Sequence, residues 1–180
     1  MKIKNFSFEK HLQKFDKHIN SEKIEKFEKL KKKLLEIKKS KKKIMIAGNG
    51  GSSAIASHVS VDLTKNCRIR CNNFNEYDLI TCFANDFGYE KWLQKAIEYY
   101  YDKGDCIILI SSSGKSKNII NAAKYAKKKG VYLITFSGFE SNNSLRKLGK
   151  INFWLNSKDY NTIESVHQIW LLTLVDSLLV

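Results

Sequence analysis

The sequence predicts an α/β protein built on a parallel β-sheet. Short apolar runs alternate along the chain with segments of helical periodicity, as in a parallel sheet whose strands are joined by crossover helices. The runs are apolar throughout, which is typical of strands covered on both faces, and two of them end in glycine- or serine-rich turns just before a helix. The predicted strands are residues 43–47, 106–110, 131–136 and 151–155.

The first 42 residues predict two lysine-rich amphipathic helices. Their apolar positions recur at helical spacing: Phe8, Leu12, Phe15 and Ile19 in the first, and Phe27, Leu30, Leu34 and Ile37 in the second. We expect this segment, 1–42, to pack on the main domain or on a neighbouring subunit. The whole chain, 1–180, has the length of a single domain.

Three further helices follow the predicted strands. One extends from Ser53 to about Lys65, one ends at Lys129 before Gly130, and the last begins at Thr162 and continues to residue 180. The last helix is apolar almost all round, so it must be buried on most sides. We expect that burial to occur between subunits, which predicts a homo-oligomer.

Composition and charge exclude several classes of protein. A hydrophobic fraction of 43% without proline excludes disordered and proline-rich chains. The net charge is +14, and residues 1–43, with 16 lysines and 6 acidic residues, contribute +10 of it. Only three basic residues are arginine, the side chain favoured for reading base edges. We therefore interpret the charge as a solvated lysine-rich surface and expect no nucleic-acid partner.

The cysteines and the apolar stretches predict a cytoplasmic protein. The four cysteines contain no CxxC pair, which favours reduced thiols. The N-terminus has no apolar core of signal-peptide length, and no stretch is long enough to span a membrane. We expect no membrane partner.

Two loops follow predicted strands and open helices, which is where open α/β sheets bind ligands. The first, Gly48-Asn49-Gly50-Gly51-Ser52, allows close approach of the backbone to an anion. The second, residues 111–116, supplies four serine hydroxyls, which suit the oxygens of a phosphate monoester. Neither loop is a nucleotide motif, because Leu109 and Ser53 stand where a P-loop and a dinucleotide fingerprint require glycine. We expect a small phosphorylated metabolite and no nucleotide.

Two pairs of titratable residues are candidates for chemistry. His58 and Asp62 lie four residues apart on one predicted helix, a spacing that suits a metal site, proton transfer or a simple hydrogen bond. Glu164 and His167 open the last helix. Glu164 is either solvated at the positive end of the helix dipole or directed into a site, and His167 is one turn from it.

In their order along the chain, these motifs resemble the sugar isomerase (SIS) domain family, and within it the bacterial phosphoheptose isomerases. The matching segments are residues 47–64, 83–90, 110–130 and 162–172. The resemblance implies a flavodoxin-like three-layer fold, with a five-stranded parallel sheet flanked by helices, in a homotetramer with sites between subunits. It implies conversion of sedoheptulose 7-phosphate to D-glycero-D-manno-heptose 7-phosphate for lipopolysaccharide or capsule biosynthesis.

The resemblance also implies roles for individual residues. Those matching substrate contacts are Asn49, Gly50, Gly51, Ser52, Asn85, Asp86, Ser111, Ser112, Ser113 and Ser116. Those matching zinc ligands are His58, Asp62 and Glu164, of which Asp62 and Glu164 are also the candidate catalytic residues. The chain departs from the family pattern where Asp62 replaces a glutamate, Glu164 a glutamine and Leu172 a catalytic, zinc-binding histidine.

Three other functions remain open. A non-catalytic phosphosugar-binding SIS protein acting through a protein partner is consistent with Leu172 and with the basic N-terminal segment. An isomerase of a related phosphosugar is the second. A direct nucleic-acid binder is the third, and it predicts an affinity that falls steeply with salt concentration.

Overall fold

The computed structural model describes residues 7–179 and has a three-layer α/β fold. The strands are β1 Ile44–Ala47, β2 Cys71–Asn72, β3 Cys106–Ser111, β4 Tyr132–Ser137 and β5 Ile151–Trp154. They form a five-stranded sheet in the order β2-β1-β3-β4-β5, and every neighbouring pair is parallel. The predicted fold class is confirmed.

The helices lie on both faces of this sheet. They are α1 Phe8–Ile19, α2 Ile24–Lys39, α3 Gly51–Lys65, α4 Tyr77–Phe87, α5 Trp92–Tyr100, α6 Lys117–Lys128 and α7 Tyr160–Ser177. None of the helices within residues 7–179 is long and apolar enough to cross a membrane.

Alternating strand residues supply two separate apolar cores. In β1, Ile44 and Ile46 face a core shared with α2, α3 and α7, whereas Met45 and Ala47 face a core shared with α5 and α6. Because both faces are covered, β1 and β3 are fully buried, which explains their uninterrupted apolar sequences.

The edge strand β2 and helices α4 and α5 were not identified from the residues themselves. Strand β2 has only two residues, which pair with Ile44 and Met45 of β1. An edge strand this short has no apolar run, so only the family resemblance predicted the fifth strand.

Hydrogen bonds join the connection between α1 and α2 to the rest of the chain. The Trp170 Nε1–H donates to the Ile19 carbonyl at 2.8 Å, and the Trp154 backbone N–H donates to Glu22 Oε1 at 3.1 Å. Glu22 also pairs with Lys26, whose Nζ donates to the Asn152 carbonyl. These contacts fix the start of α2 against α7 and β5.

Most of the apolar surface of α7 is buried within the same chain. Ile163, Val166, Trp170 and Leu171 belong to the core shared with α2 and α3. The expectation that this helix is buried between subunits is therefore wrong for these side chains, because α2 and α3 of the same chain cover them. The homo-oligomer remains a prediction without this argument. Residue 180, the predicted end of the helix, lies outside the described residues.

Candidate functional site

A pocket of about 110 Å³ opens at the carboxyl ends of β1 and β3. Helix α3, which follows β1, covers one face of the sheet, and α6, which follows β3, covers the other. A crevice forms where neighbouring strands lead to opposite faces, and this is where α/β sheets bind ligands. The residues that line the pocket are Asn49, Ser52, Ser111, Ser112, Ser113, Ser116, Tyr160 and Glu164.

The serine loop, residues 111–116, forms one wall. The Ser111 hydroxyl donates to Ser116 Oγ at 3.2 Å, and the Lys115 backbone N–H donates to Ser113 Oγ at 3.2 Å. Ser116 is the N-cap of α6, yet its side chain makes no capping hydrogen bond. The N-terminus of α6, left without a side-chain cap, therefore lies beside these hydroxyls, an arrangement suited to an anion.

Gly114 lets this loop lie directly against a buried side chain. Its φ is +63°, and a Cβ at this position would lie 2.8 Å from Asn143 Cβ. Asn143 is buried and donates to Ser137 Oγ at 3.1 Å, and the Leu145 N–H donates to the Gly114 carbonyl at 3.1 Å. The loop is thus supported from behind by the segment that follows β4.

Asn49 in the first loop is paired with a buried asparagine of α6. The Asn49 and Asn118 amides each donate to the other's Oδ1 at 2.9 Å. Asn118 was missed by the sequence reasoning, although a polar residue beside Ile119 on the buried face of an amphipathic helix was a usable signal. The pair joins the loops that follow β1 and β3.

Glu164 forms the opposite wall. The Ser112 hydroxyl donates to Glu164 Oε1 at 3.4 Å, and the carboxyl group lies over Gly51, the first residue of α3. A carboxylate is favoured there by the partial positive charge of the helix N-terminus. The Glu164 carboxyl group thus faces both loops: it accepts from Ser112 of the serine loop and lies against Gly51 of the first loop. Tyr160, also missed from sequence, lies at the pocket's edge with its ring 4.9 Å from that of Phe139.

His58 and Asp62 lie together on α3, as their spacing predicts. His58 Nε2 is 3.3 Å from Asp62 Oδ2, and His58 Nδ1 is 3.5 Å from Nε2 of Gln168 on α7. Gln168 is one turn beyond Glu164. The pair therefore lies beside the contact between α3 and α7, further along α3 from the pocket.

Comparisons with known proteins show which family this chain belongs to. A family model described as SIS domain matches residues 7–138. The chain belongs to the SIS domain family. It is 31% identical to the phosphoheptose isomerase of Fusobacterium nucleatum over 154 residues, which cover 83% of this chain and 79% of the relative. It is 29% identical to that of Campylobacter concisus over 178 residues, covering 96% and 92%.

A solved structure has the same fold as this SIS domain. The phosphoheptose isomerase from Francisella tularensis superposes with a TM-score of 0.84 at 22% identity, covering 95% of this chain and 93% of that one. The five-stranded parallel sheet and its flanking helices are thus those of the SIS fold.

The three side chains predicted as zinc ligands do not form a metal site in this SIS domain. His58 and Asp62 contact each other, but Glu164 contacts Ser112 and Gly51 instead. Within residues 7–179, no group of three or more His, Cys, Asp or Glu side chains is arranged to hold a metal ion. Leu172, which replaces the family histidine, packs against the apolar core. The residues present therefore do not fit zinc within one chain.

Asn85 and Asp86 lie outside the pocket. Both are exposed near the end of α4, where the Asn85 amide donates to Asp86 Oδ1 at 3.0 Å. Within one chain they do not line the pocket, and their role as substrate contacts stays a prediction.

His167 also lies outside the pocket. It is fully buried between Phe136 and Trp170, with Nε2 3.2 Å from the Ser137 carbonyl. Burial lowers the pKa of its imidazole to about 4, so the ring is neutral at pH 7. His167 is part of the core and does not line the pocket.

Proposed function

We propose that this chain is an aldose–ketose isomerase acting on a phosphorylated sugar. The observation that carries the proposal is a single pocket in which serine hydroxyls at a helix N-terminus face the carboxyl group of Glu164. Relatives of this chain that are named phosphoheptose isomerase support the same reaction class. The preferred substrate is sedoheptulose 7-phosphate, converted to D-glycero-D-manno-heptose 7-phosphate for surface polysaccharide.

The serine loop binds the phosphate in this proposal. Hydroxyls of Ser111, Ser113 and Ser116 donate to phosphate oxygens, and the N-terminus of α6 adds backbone N–H groups and a favourable dipole. A volume of about 110 Å³ suits this small group, and the sugar extends out of the pocket past Glu164. The Asn49–Asn118 pair keeps the two loops in a fixed position relative to each other.

Glu164 moves the proton between the two carbons. In the open-chain sugar, the carboxylate removes the proton from the hydroxyl-bearing carbon next to the carbonyl, giving an enediol, and then returns it to the adjacent carbon. A second group transfers the hydroxyl protons, so that no atom is gained or lost. We assign this second role to Asp62, which contacts His58 on α3. Asp62 lies about 16 Å along α3 from Gly51, so the Asp62 that serves this site is that of a neighbouring subunit.

The assembly and location of the protein complete the proposal. We propose a cytoplasmic homotetramer with sites between subunits, in which a neighbouring chain closes the open side of the pocket. The exposed apolar side chains Val61 on α3 and Ile169 on α7 are available for such a contact. Light scattering with the purified protein tests it: four chains are expected, and a monomer would exclude sites of this kind.

Turnover of sedoheptulose 7-phosphate by the purified protein tests the function. The activity should be lost in Asp62→Asn and in Glu164→Gln, since each replaces a carboxylate by a neutral group of the same shape. Robust activity in both variants would reject the assignment of these residues. Activity on a six-carbon ketose phosphate alone would keep the reaction class and change the substrate.

A non-catalytic phosphosugar-binding protein is the second candidate. Leu172 favours it, because this side chain supplies no proton-transfer group at the family's histidine position and packs against the core. Calorimetric binding of the sugar phosphate without formation of product would identify this function. Formation of product would exclude it.

A further inference from the structure

We propose that Gly51 is a positioning residue: its lack of a side chain allows the Glu164 carboxyl group to lie in the pocket. This inference rests on the proposed function, in which Glu164 transfers the proton. It assigns to Gly51 a role that differs from contact with the substrate.

The geometry at this position leaves no room for a larger residue. A Cβ on Gly51 would lie 2.6 Å from Glu164 Cδ, whereas real Cβ atoms essentially never approach a neighbour closer than 3.0 Å. Gly51 is a helical residue and is not among the glycines with positive φ, so its backbone would accept alanine. Glycine is therefore required here because it leaves space for Glu164. The backbone conformation does not require it.

The backbone of Glu164 cannot move away to relieve such a contact. Its neighbours on α7, Ile163 and Val166, are fully buried in the core, and Ile163 also packs against Gly138. The carboxyl group itself is only half-buried and is held by the Ser112 hydroxyl at 3.4 Å. A methyl group on Gly51 would therefore turn the carboxyl group out of the pocket and leave the fold intact.

In this proposal, Gly51 of the first loop affects proton transfer by setting the position of the Glu164 carboxyl group. An alanine at position 51 leaves the serine loop unchanged, so phosphate binding and proton transfer should separate. A displacement of about 1 Å at a reacting group is enough to lower a rate about 100-fold. Shortening Glu164 to aspartate withdraws the carboxyl group by about 1.5 Å, one carbon–carbon bond, which exceeds the 0.8 Å between 2.6 Å and an ordinary contact of 3.4 Å.

The test compares wild type with Gly51→Ala, Glu164→Asp and the double variant, using sedoheptulose 7-phosphate turnover and calorimetric binding of inorganic phosphate. For Gly51→Ala we expect kcat to fall about 10- to 100-fold, with no rise in KM and no loss of phosphate affinity. In the Glu164→Asp background, the same alanine should cost nothing further. An equal loss from alanine in both backgrounds, or a rise in KM alone, would overturn the proposal.

Crystal structures of wild type and Gly51→Ala provide a readout that does not depend on activity. We expect the Glu164 carboxyl group to leave Ser112 in the variant. A carboxyl group that stays in place beside the new methyl group would overturn the positioning role even if turnover fell. If the wild-type protein turns over no phosphosugar, the proposed function fails, and the two crystal structures alone then decide whether Gly51 positions Glu164.

Discussion

Asn49 and Asn118 hold each other through two reciprocal hydrogen bonds of 2.9 Å, and this pair connects the two loops of the candidate site. Asn49 follows β1, and Asn118 lies in the first turn of α6, which follows β3. Only 3% of Asn118 is exposed and Asn49 is half-buried, so either amide would be partly removed from water if it lost its partner. The arrangement of the two loops around the pocket therefore depends on the Asn49–Asn118 pair, whether or not either residue touches substrate.

Replacing Asn118 by alanine should loosen the first loop. The substitution leaves both polar atoms of the Asn49 amide unpaired, and we expect a loss of about 1–3 kcal/mol in the free energy of unfolding. Urea denaturation measures the loss. The matched control is Asn121→Ala on the same helix, where the amide donates to the Glu90 carbonyl at an exposed site. Equal losses in the two variants would show that the Asn49–Asn118 pair has no special importance.

A second prediction separates backbone strain from steric contact in the serine loop. Gly114 and Gly130 have similar φ values of +63° and +70°, but only at Gly114 would a Cβ meet another residue, Asn143. Gly130→Ala should cost about 1–2 kcal/mol from the left-handed backbone alone.

Gly114→Ala should cost about 1–3 kcal/mol more than Gly130→Ala, because the methyl group also displaces Asn143. The free energies of unfolding of both variants are compared with that of wild type. Gly130→Ala gives the cost of the left-handed backbone, and the difference between the two variants gives the cost of the contact with Asn143. If Gly114→Ala were no more destabilising than Gly130→Ala, the loop would not depend on close packing against Asn143.

The buried His167 predicts a loss of stability in acid. Burial lowers its pKa to about 4 from an ordinary value of 6.5, so between these values the unfolded chain binds a proton that the folded chain does not. The contribution of His167 to the free energy of unfolding is therefore at its full value above about pH 6.5, and it decreases as the pH falls towards 4. Such a shift corresponds to about 3 kcal/mol in the free energy of unfolding.

The His167→Gln variant isolates this contribution. Its amide N–H can still donate to the Ser137 carbonyl but does not titrate. Hydrogen bonds from Lys43 and Lys158 lower the pKa of Asp102 and of Glu140, respectively, and both carboxylates titrate in the two proteins alike. Urea denaturation from pH 7 to 4.5 should show a smaller loss in the variant. Identical pH profiles would mean that His167 is not buried as described.

The fold could be predicted from sequence because its central elements carry strong periodic signals. Residues such as Ile44 and Ile107 lie in strands covered on both faces, which produces apolar runs that are easy to recognise. Strand β2 and helices α4 and α5 carry weaker patterns. Burial of α7 was assigned to the wrong partner, since an apolar helix does not specify whether its own chain or another covers it.

The candidate site was predicted only in part. The serines and Asn49 were found because their loops follow strands, and Glu164 because it opens a helix among apolar residues. Asn118 and Tyr160 were missed, since their roles depend on which elements meet at the pocket. Asn85 and Asp86 were expected at the site from family resemblance, but their place on the exposed face of α4 could not be derived from residue types.

The most direct test of the account compares Ser111→Ala with Glu164→Gln, using sedoheptulose 7-phosphate both for calorimetric binding and for turnover. The serine variant should bind the sugar phosphate about 10-fold more weakly, because one hydrogen bond to a charged group is lost. The glutamine variant should bind it at least as tightly as wild type and form no product. Full turnover in the glutamine variant, or unchanged affinity in the serine variant, would contradict a pocket that binds phosphate on one wall and transfers a proton from the other.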